Sequence, residues 1–407
     1  MTDRTDDDVA MITRADAEAC DATDPLAHWR DEFVIPDDHL AYLDGNSLGR
    51  TPKRAVDALR HVVEQQWAGD LIASWWEHGW LDLPLRAGDT LAPLIGALPG
   101  EIAVHDSTTV CLFQLVNVAI DLHRTRDGDV GRPIVVAVEA TEFPTDRYVI
   151  DGISVLRSPG DVPVVVVRHG LDDLQGVDVV VRSLVDYRTA RLAAIVEETR
   201  RANDAGAITV WDLSHAAGVV AVDLEGAGVE LAAGCTYKFL NGGPGAPAFT
   251  YVRRSVQDDV VQPIWGWFAQ RDQFAMDRAF DPRDGVGRML NGTPGILGLT
   301  AAVAGISLAA DVGIDAIAGK AARLSDFALD VAGELGLTCS TLRTPASSGG
   351  HVSIHHDDAT ELQRRLASER VIVDKRDPDV LRFGLSPLTT RFVDVHRGLT
   401  TLADLIA

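Results

Sequence analysis

Asp212, His215 three residues on, and the adjacent pair Tyr237-Lys238 are the residues whose types and spacing best suit chemistry in this sequence. The apolar run Ile208-Thr-Val210 delivers Asp212 to a strand end. A second short strand delivers Tyr237 and Lys238 into the turn Asn241-Gly-Gly-Pro-Gly245. A buried carboxylate at one strand end and a lysine at the next suit pyridoxal 5'-phosphate. The carboxylate keeps the pyridine nitrogen protonated, so the ring draws electrons, while the lysine amine links to the cofactor aldehyde and later carries protons. Taken singly, Asp212 reads as a turn cap and Lys238 as a solvated side chain. Together, one strand-helix-strand step apart and ahead of a glycine-rich loop, they point to the cofactor. Residues 211–249 therefore organise the chain.

The elements that must position them can be read on either side. Asp106-Ser-Thr-Thr109 opens an amphipathic stretch over 110–123, with Leu112, Leu115, Val116, Ala119 and Ile120 on its apolar face. Hydroxyl residues there cap a helix N-terminus, and the same end offers free N–H groups and a positive dipole to a phosphate. Beside a cofactor-linking lysine, the phosphate reading is the better one. Strands are expected over 133–138, 164–167, 177–185 and 208–213, with a helix over 190–205. Near-continuous Val/Ile runs separated by helices indicate an α/β fold with a parallel sheet buried on both faces. Ligands collect at the carboxyl ends of such strands. Phe143, Asp146, Ser183, Asp212 and His215 all fall at or just past those ends.

The first 25 or so residues read as a loose arm or a short peripheral helix, being acidic and without apolar periodicity. Asp44-Gly-Asn-Ser47 is turn chemistry. Thr51-Pro52 reads as a helix start, Thr at the cap and Pro in the first turn, with the helix running to about Trp67. Trp75, Trp76 and Trp80 cluster beside His78, either as core or as the wall of an aromatic pocket. After Tyr251, loops at 262–268 and 290–295 precede a helix from Ile296 to about Ala310. A long helix over 314–335 is placed to bridge two domains. Strands at 351–355, 371–374 and 380–385 then alternate with helices over 359–370 and 394–406, a compact α+β unit. This divides the chain into an N-terminal segment (1–40), a large cofactor-binding domain (41–310) and a small C-terminal domain (311–407), against which the N-terminal segment can pack.

The 407 residues, 46% hydrophobic and 24% charged, suffice for two domains. A formal net charge of −23 argues against nucleic acid as a partner. Cys20, Cys111, Cys235 and Cys339 are scattered, without disulfide or metal spacing, and read as buried small hydrophobes. With neither a secretion-type apolar segment nor a run of the roughly 18 apolar residues that a bilayer needs, a cytoplasmic protein without membrane partners is expected.

At the level of motifs the chain resembles the kynureninase family, of the aspartate-aminotransferase-like fold. The resemblance rests on Leu43-Asp-Gly-Asn-Ser-Leu-Gly49, Asp106-Ser-Thr-Thr-Val110, Glu142-Phe-Pro-Thr-Asp-Arg-Tyr148, Val185-Asp-Tyr-Arg-Thr189, Trp211-Asp-Leu-Ser-His215, Gly234-Cys-Thr-Tyr-Lys-Phe-Leu-Asn-Gly-Gly-Pro-Gly-Ala-Pro-Ala-Phe249, Gly266-Trp267, Gly292-Thr-Pro294, Gly349-Gly-His-Val352 and Arg382-Phe-Gly384. It runs from about residue 40 to the C-terminus. It implies a fold-type I architecture, a mostly parallel seven-stranded sheet between helices with a smaller α+β domain. The implied reaction is pyridoxal-phosphate-dependent hydrolysis of L-kynurenine to anthranilate and L-alanine, extending to 3-hydroxykynurenine, in tryptophan catabolism.

On this resemblance Lys238 carries the cofactor, Asp212 pairs with the pyridine nitrogen and His215 supports that contact. Thr108, Thr109 and Tyr237 hold the phosphate with Trp267, and Tyr237 also carries a proton. Phe143 stacks on the ring, and Pro144, Thr145, Asp146 and Ser183 complete the shell. Arg382 takes the substrate α-carboxylate with Asn46 and Ser47, and Trp75 walls the aryl ring. The family's active sites lie between the subunits of a homodimer, so Trp267 and Thr293 are expected from the partner. No metal is implied. The chain departs from the family pattern at Phe268-Ala-Gln270, at Ala190 where a glycine is usual, and at Thr389. A different reaction on the same scaffold, cysteine desulfuration, wants a reactive cysteine on a mobile loop, and Cys339 is the candidate in the smaller domain.

Overall fold

Valine-rich strands build the centre of the molecule. The computed structural model describes residues 11–128, 131–158, 164–343 and 349–407. In chain order, α1 (Arg14–Ala22), β1 (Ala41–Tyr42), α2 (Lys53–His61), α3 (Ser74–Glu77) and α4 (Leu83–Leu91) come first. They are followed by β2 (Ile102–His105), α5 (Thr108–Asp127), β3 (Ile134–Val138), α6 (Pro144–Arg157), β4 (Val165–His169) and β5 (Val179–Ser183). Next come α7 (Ile195–Asp204), β6 (Ile208–Asp212), β7 (Leu231–Gly234), β8 (Ala248–Val252), α8 (Ile296–Val312) and α9 (Ile314–Glu334). The chain closes with β9 (His351–His355), α10 (Ala359–Ser368), β10 (Val371–Ile372), β11 (Asp374–Arg376), β12 (Val380–Gly384) and α11 (Phe392–Ile406).

Seven strands form one sheet in the order β2-β8-β7-β6-β5-β3-β4. The central strands β4, β3, β5, β6 and β7 are parallel, and β8 alone runs against its neighbours β7 and β2. Strand periodicity distributes the valines. Val179 and Val181 pack with Val136, Val138 and Val210 against Leu112, Leu115, Val116 and Ile120 of α5, while Val180 and Ala137 face Ala202 of α7. Each such side chain contributes roughly 1.5–3 kcal/mol on burial. The parallel strands β3, β5 and β6 end on one side of the sheet, which places Ser183 directly opposite Asp212.

The C-terminal unit is a three-stranded antiparallel sheet, β11-β12-β9, packed on α9, α10 and α11. Its core also takes in Ala17, Ala41 and Leu43 beside Val352, Ile354, Leu381 and Phe383. Residue 41 was expected to open the large domain, yet β1 pairs in parallel with β10 here. The α1 segment is fastened to the same unit by Asp21, whose carboxylate accepts from the free N–H groups of Phe392 (2.8 Å) and Val393 (3.1 Å) at the start of α11. Residues 1–10 of the expected arm lie outside the described residues. Helix α9 joins the two bodies, with Ile317 in the large core and Leu324, Ala328 and Val331 in the small one.

Three element boundaries differ from expectation. Thr51 does not cap α2. Its carbonyl accepts from Val34 N at 2.9 Å and Pro52 bridges Phe33, so both stay extended and the helix begins at Lys53. The helix expected from residue 190 begins at Ile195, because the Asp186 carboxylate accepts from Arg188 N and Thr189 N and Ala190 turns left-handed at φ 62°. The strand expected over 371–374 divides into β10 and β11, which pair with different partners. No single helix among the described residues is long and apolar enough to cross a membrane.

Candidate active site

The ends of β3, β5, β6 and β7 converge on Lys238. Its side chain is buried, and Nζ lies against the edge of the His215 ring, 3.2 Å from Nδ1 and 3.0 Å from Nε2. Lys238 makes no ion pair among the described residues, and burial pushes its amine below the usual lysine range. Burial likewise pushes the His215 imidazole well down, helped by the charge of Lys238, so the ring is neutral. Asp212 is buried and raised by burial, although Ser214 N donates to its Oδ1 at 2.8 Å and Lys238 acts in the opposite sense. The turn after β7 folds by way of Asn241 at φ 56° and Gly243 at φ 88°. Gly49 N donates to Tyr237 O at 2.9 Å, and a Cβ on Gly49 would meet Lys238 O at 2.3 Å, so only glycine lets this loop seal the lysine turn.

A cavity of about 230 Å³ opens in front of Lys238. The N-terminus of α5 forms one end, with Ser107 as cap and Thr108 and Thr109 as the first helical residues. Phe143, Thr145 and Asp146 come from the start of α6, Asp212 and His215 from the end of β6, and Tyr237 from the lysine turn. Pro144 occupies the first turn of α6 rather than the cavity wall. Ser183 stands behind, its Oγ donating to Asp146 Oδ2 at 3.4 Å. Asp146 is raised well above the usual range by burial and by the nearby Asp212 and Glu142 carboxylates. Burial also raises the Tyr237 phenol. The arrangement offers an uncompensated amine, a buried carboxylate, an aromatic face and a helix N-terminus within one cavity.

Arg382 lies on β12 beyond this cavity and is fully buried. It donates from Nε to Asp374 Oδ1 at 2.7 Å, from Nη1 to Tyr187 O at 2.7 Å, from Nη2 to Asp374 Oδ2, and at 3.4 Å to Ser47 Oγ. With its amide oxygen turned to the guanidinium, Asn46 accepts from Nη2 at 3.0 Å and Nε at 3.2 Å.

A family model described as the kynureninase C-terminal domain matches residues 317–402. A kynureninase from Burkholderia pseudomallei (strain K96243) is 39% identical over 97% of this chain and 96% of its own length. The chain belongs to the kynureninase family. Among solved structures, the apo cysteine desulfurase of Thermococcus onnurineus NA1 superposes with a TM-score of 0.78 at 17% identity, over 93% of this chain and 97% of that one. A variant of the lyase C-DES with glycine covalently linked to its PLP cofactor superposes with a TM-score of 0.75 at 17% identity, over 91% of this chain and 100% of that one. These two likenesses concern the fold, a large mixed sheet with a smaller α+β unit.

For a kynureninase-family chain, three expected residues besides Arg382, Asn46 and Ser47 stand apart from Lys238. Trp267 is exposed, and its Nε1 donates to Thr293 Oγ1 at 3.3 Å. Thr293 lines a neighbouring cavity of about 350 Å³, which shares only Asp106 and Gly245 with that of Lys238. Trp75 does not wall the Lys238 cavity of its own chain. It packs edge-on against Trp80, ring centroids 5.5 Å apart, and at 6.0 Å from Phe268. Four residues near the site escaped the sequence reading. Glu142 accepts from Phe143 N and Ser183 N, both at 3.0 Å, and so ties the start of α6 to the end of β5. His351 is buried 6.1 Å from the His215 ring, pushed down to about 3 by burial and by the Arg382 charge. Asp374 and Arg376 adjoin Arg382. Glu142 and His351 lie inside quoted motifs, whereas Asp374 and Arg376 carry no local signal beyond a strand end.

Proposed function

We propose that this chain hydrolyses L-kynurenine to anthranilate and L-alanine, with pyridoxal 5'-phosphate attached at Lys238. The observation that carries the reading is the buried Lys238 amine, lacking a counter-ion among the described residues, in one cavity with Asp212, His215, Phe143 and the N-terminus of α5. The donor set fits the cofactor: a carboxylate for the ring nitrogen, an aromatic face for the ring and free helix N–H groups for the phosphate. When bound, the cofactor supplies an electron sink for the charge left at the substrate Cα.

The chain's own residues supply the rest. With its pKa lowered by burial, Lys238 is more readily the neutral amine needed to take the covalent link and then to move a proton at Cα. Asp212 holds the proton on the ring nitrogen, and His215 fills the space beside the amine as a neutral ring. Thr108 and Thr109 present backbone N–H groups to the phosphate, joined by the Tyr237 hydroxyl, and Tyr237 passes a proton toward the substrate as water adds at the aryl ketone. Phe143 stacks on the ring with Pro144 and Thr145 setting its turn, and Asp146 and Ser183 complete the shell. Arg382, Asn46 and Ser47 take the α-carboxylate.

We read the protein as a homodimer in which the partner's copies of Trp267 and Thr293 complete the site. Two observations support this. Both residues lie outside the Lys238 cavity, and Trp67, Ile72, Trp76, Trp267, Phe274 and Met276 expose a large apolar surface. Free Cys20, Cys111, Cys235 and Cys339 agree with a reducing cytoplasm. A desulfurase reading finds little support in Cys339, which is part-buried, with its thiol raised by burial rather than activated. The reading is tested by the absorption spectrum of the purified protein before and after L-kynurenine, with product analysis. Anthranilate and L-alanine in equal amounts are expected, and their absence from cofactor-loaded protein refutes the reading.

A further inference from the structure

We infer that Asp374 is the positioning residue for the carboxylate end of the site, holding Arg382 by its Nε edge so that the opposite edge of the guanidinium is presented to an amino-acid substrate. The inference rests on the proposed role of Arg382. Asp374 and Arg382 are direct cross-strand partners on β11 and β12, so the strand register itself brings them together. The Asp374 carboxylate spans the Nε–Nη2 edge, with Oδ1 accepting from Nε at 2.7 Å and Oδ2 from Nη2. Oδ2 also accepts from Ser47 Oγ at 2.6 Å and faces Arg376 Nη1 at 3.0 Å. One carboxylate thus joins the turn of residues 43–49 to two strands of the C-terminal unit.

A guanidinium has five N–H donors. Nε and one Nη2 hydrogen go to Asp374, and one Nη1 hydrogen goes to Tyr187 O at 2.7 Å. The second Nη1 hydrogen remains, and Nη2 is shared further between Ser47 Oγ at 3.4 Å and the Asn46 amide oxygen at 3.0 Å. The Nη1–Nη2 edge, opposite Asp374, carries one hydrogen of each nitrogen, a fork that matches a carboxylate. Ser47 gives its proton to Asp374, so its oxygen, rather than a competing hydrogen, faces that edge. Burial raises the Asp374 carboxyl, and the hydrogen bonds and charges of Arg382 and Arg376 more than reverse this, so Asp374 is ionised at neutral pH. Its charge offsets one of the two arginines, and the nearby Asp44 carboxylate, raised to about 6 by burial, adds a second negative charge at neutral pH.

Removing the carboxylate charge has two effects of opposite sign. The guanidinium loses the bond pair that orients it, and a substrate carboxylate loses a repulsive neighbour. The geometry favours the first, because Asp374 holds Arg382 with both its oxygens and makes the shortest of the contacts to Nε and Nη2. The experiment compares wild-type, Asp374→Asn and Asp374→Glu holoenzymes, titrating the cofactor absorption with L-alanine and with ethylamine. The ratio of the two affinities isolates the carboxylate and is insensitive to any inactive fraction. Asp374→Asn is expected to lower that ratio about tenfold or more, as for loss of a hydrogen bond to a charged group. KM for L-kynurenine should rise in parallel, with kcat within about threefold of wild type. Asp374→Glu, which keeps the charge, should recover part of the preference. If Asp374→Asn does not fold, Asp374→Glu decides, since the added methylene displaces the carboxylate from the Nε–Nη2 edge and should lower the same ratio severalfold. A ratio unchanged or increased in the variant that folds overturns the inference, showing that Asp374 merely competes for the guanidinium. A wild-type holoenzyme that binds L-alanine but leaves L-kynurenine intact refutes the proposed function, and the affinity ratio still decides the role of Asp374.

Discussion

Arg382→Lys separates the structural role of this side chain in the C-terminal unit from its proposed role in binding substrate. The arginine spreads its hydrogen bonds over Asp374, Tyr187 O, Ser47 and Asn46 from a fully buried position. A lysine ammonium occupies a single point, keeps one contact to Asp374 and leaves the second Asp374 oxygen and Tyr187 O without their donor. Hydrogen bonds to charged groups contribute about 1.5–3 kcal/mol each, and partial relaxation reduces the sum, so we expect a loss of about 3 kcal/mol of stability. Against a typical total of roughly 5–15 kcal/mol the variant still folds. Loss of the planar fork should also weaken binding of the substrate carboxylate by about ten- to a hundredfold, or roughly 1.4–2.8 kcal/mol. Cofactor content should not change, because Arg382 does not line the Lys238 cavity. The assay is steady-state kinetics on L-kynurenine, with urea denaturation and the cofactor absorption measured on the same preparation. A reduced midpoint with unchanged KM would show that Arg382 is structural only, and loss of cofactor would place it in the cofactor site.

Three further outcomes follow from particular residues. Burial and the neighbouring Asp374 raise Asp44 from 3.8 to about 6, so the folded state binds more protons than the unfolded state between those values and stability falls as pH rises through them. Asp44→Asn should therefore gain stability relative to wild type on going from pH 4 to pH 7, by up to about 2 kcal/mol, and a constant difference in urea midpoints would contradict this. Ala190 sits at φ 62° and is buried, so Ala190→Val should cost at least about 2 kcal/mol by thermal denaturation, whereas Ala190→Gly should stay within about 1 kcal/mol because relief of strain offsets lost burial and added chain entropy. Trp76→Asp, on the exposed apolar surface, should shift the protein from dimer to monomer in sedimentation and lower activity with it, and a variant that remains dimeric would place the interface elsewhere.

The sheet was legible because strands buried on both faces must be apolar throughout, and short unbroken runs of valine and isoleucine have few other uses; the runs at 133–138, 177–185 and 208–213 each contain a strand. Asp212 and His215 were legible because a strand of that kind ends at them, and Lys238 because it precedes a glycine-rich turn; the structure brings them into one cavity with Phe143. Trp75 was not, since an aromatic cluster looks the same in sequence whether it packs on Trp80 and Phe268 or faces a ligand. Asp374 was hidden for another reason: its role depends on standing opposite Arg382 across two strands, a register that periodicity does not fix. The start of α7 was missed because one carboxylate, Asp186, reorganises the turn before it.

The most direct test of the central claim is a paired measurement on wild type and Lys238→Ala, each incubated with pyridoxal 5'-phosphate: absorption in the visible, then L-kynurenine turnover. Wild type should show a lysine-linked cofactor band and release anthranilate, and Lys238→Ala should lose the band and the turnover together. Turnover by Lys238→Ala at the wild-type rate would contradict the account.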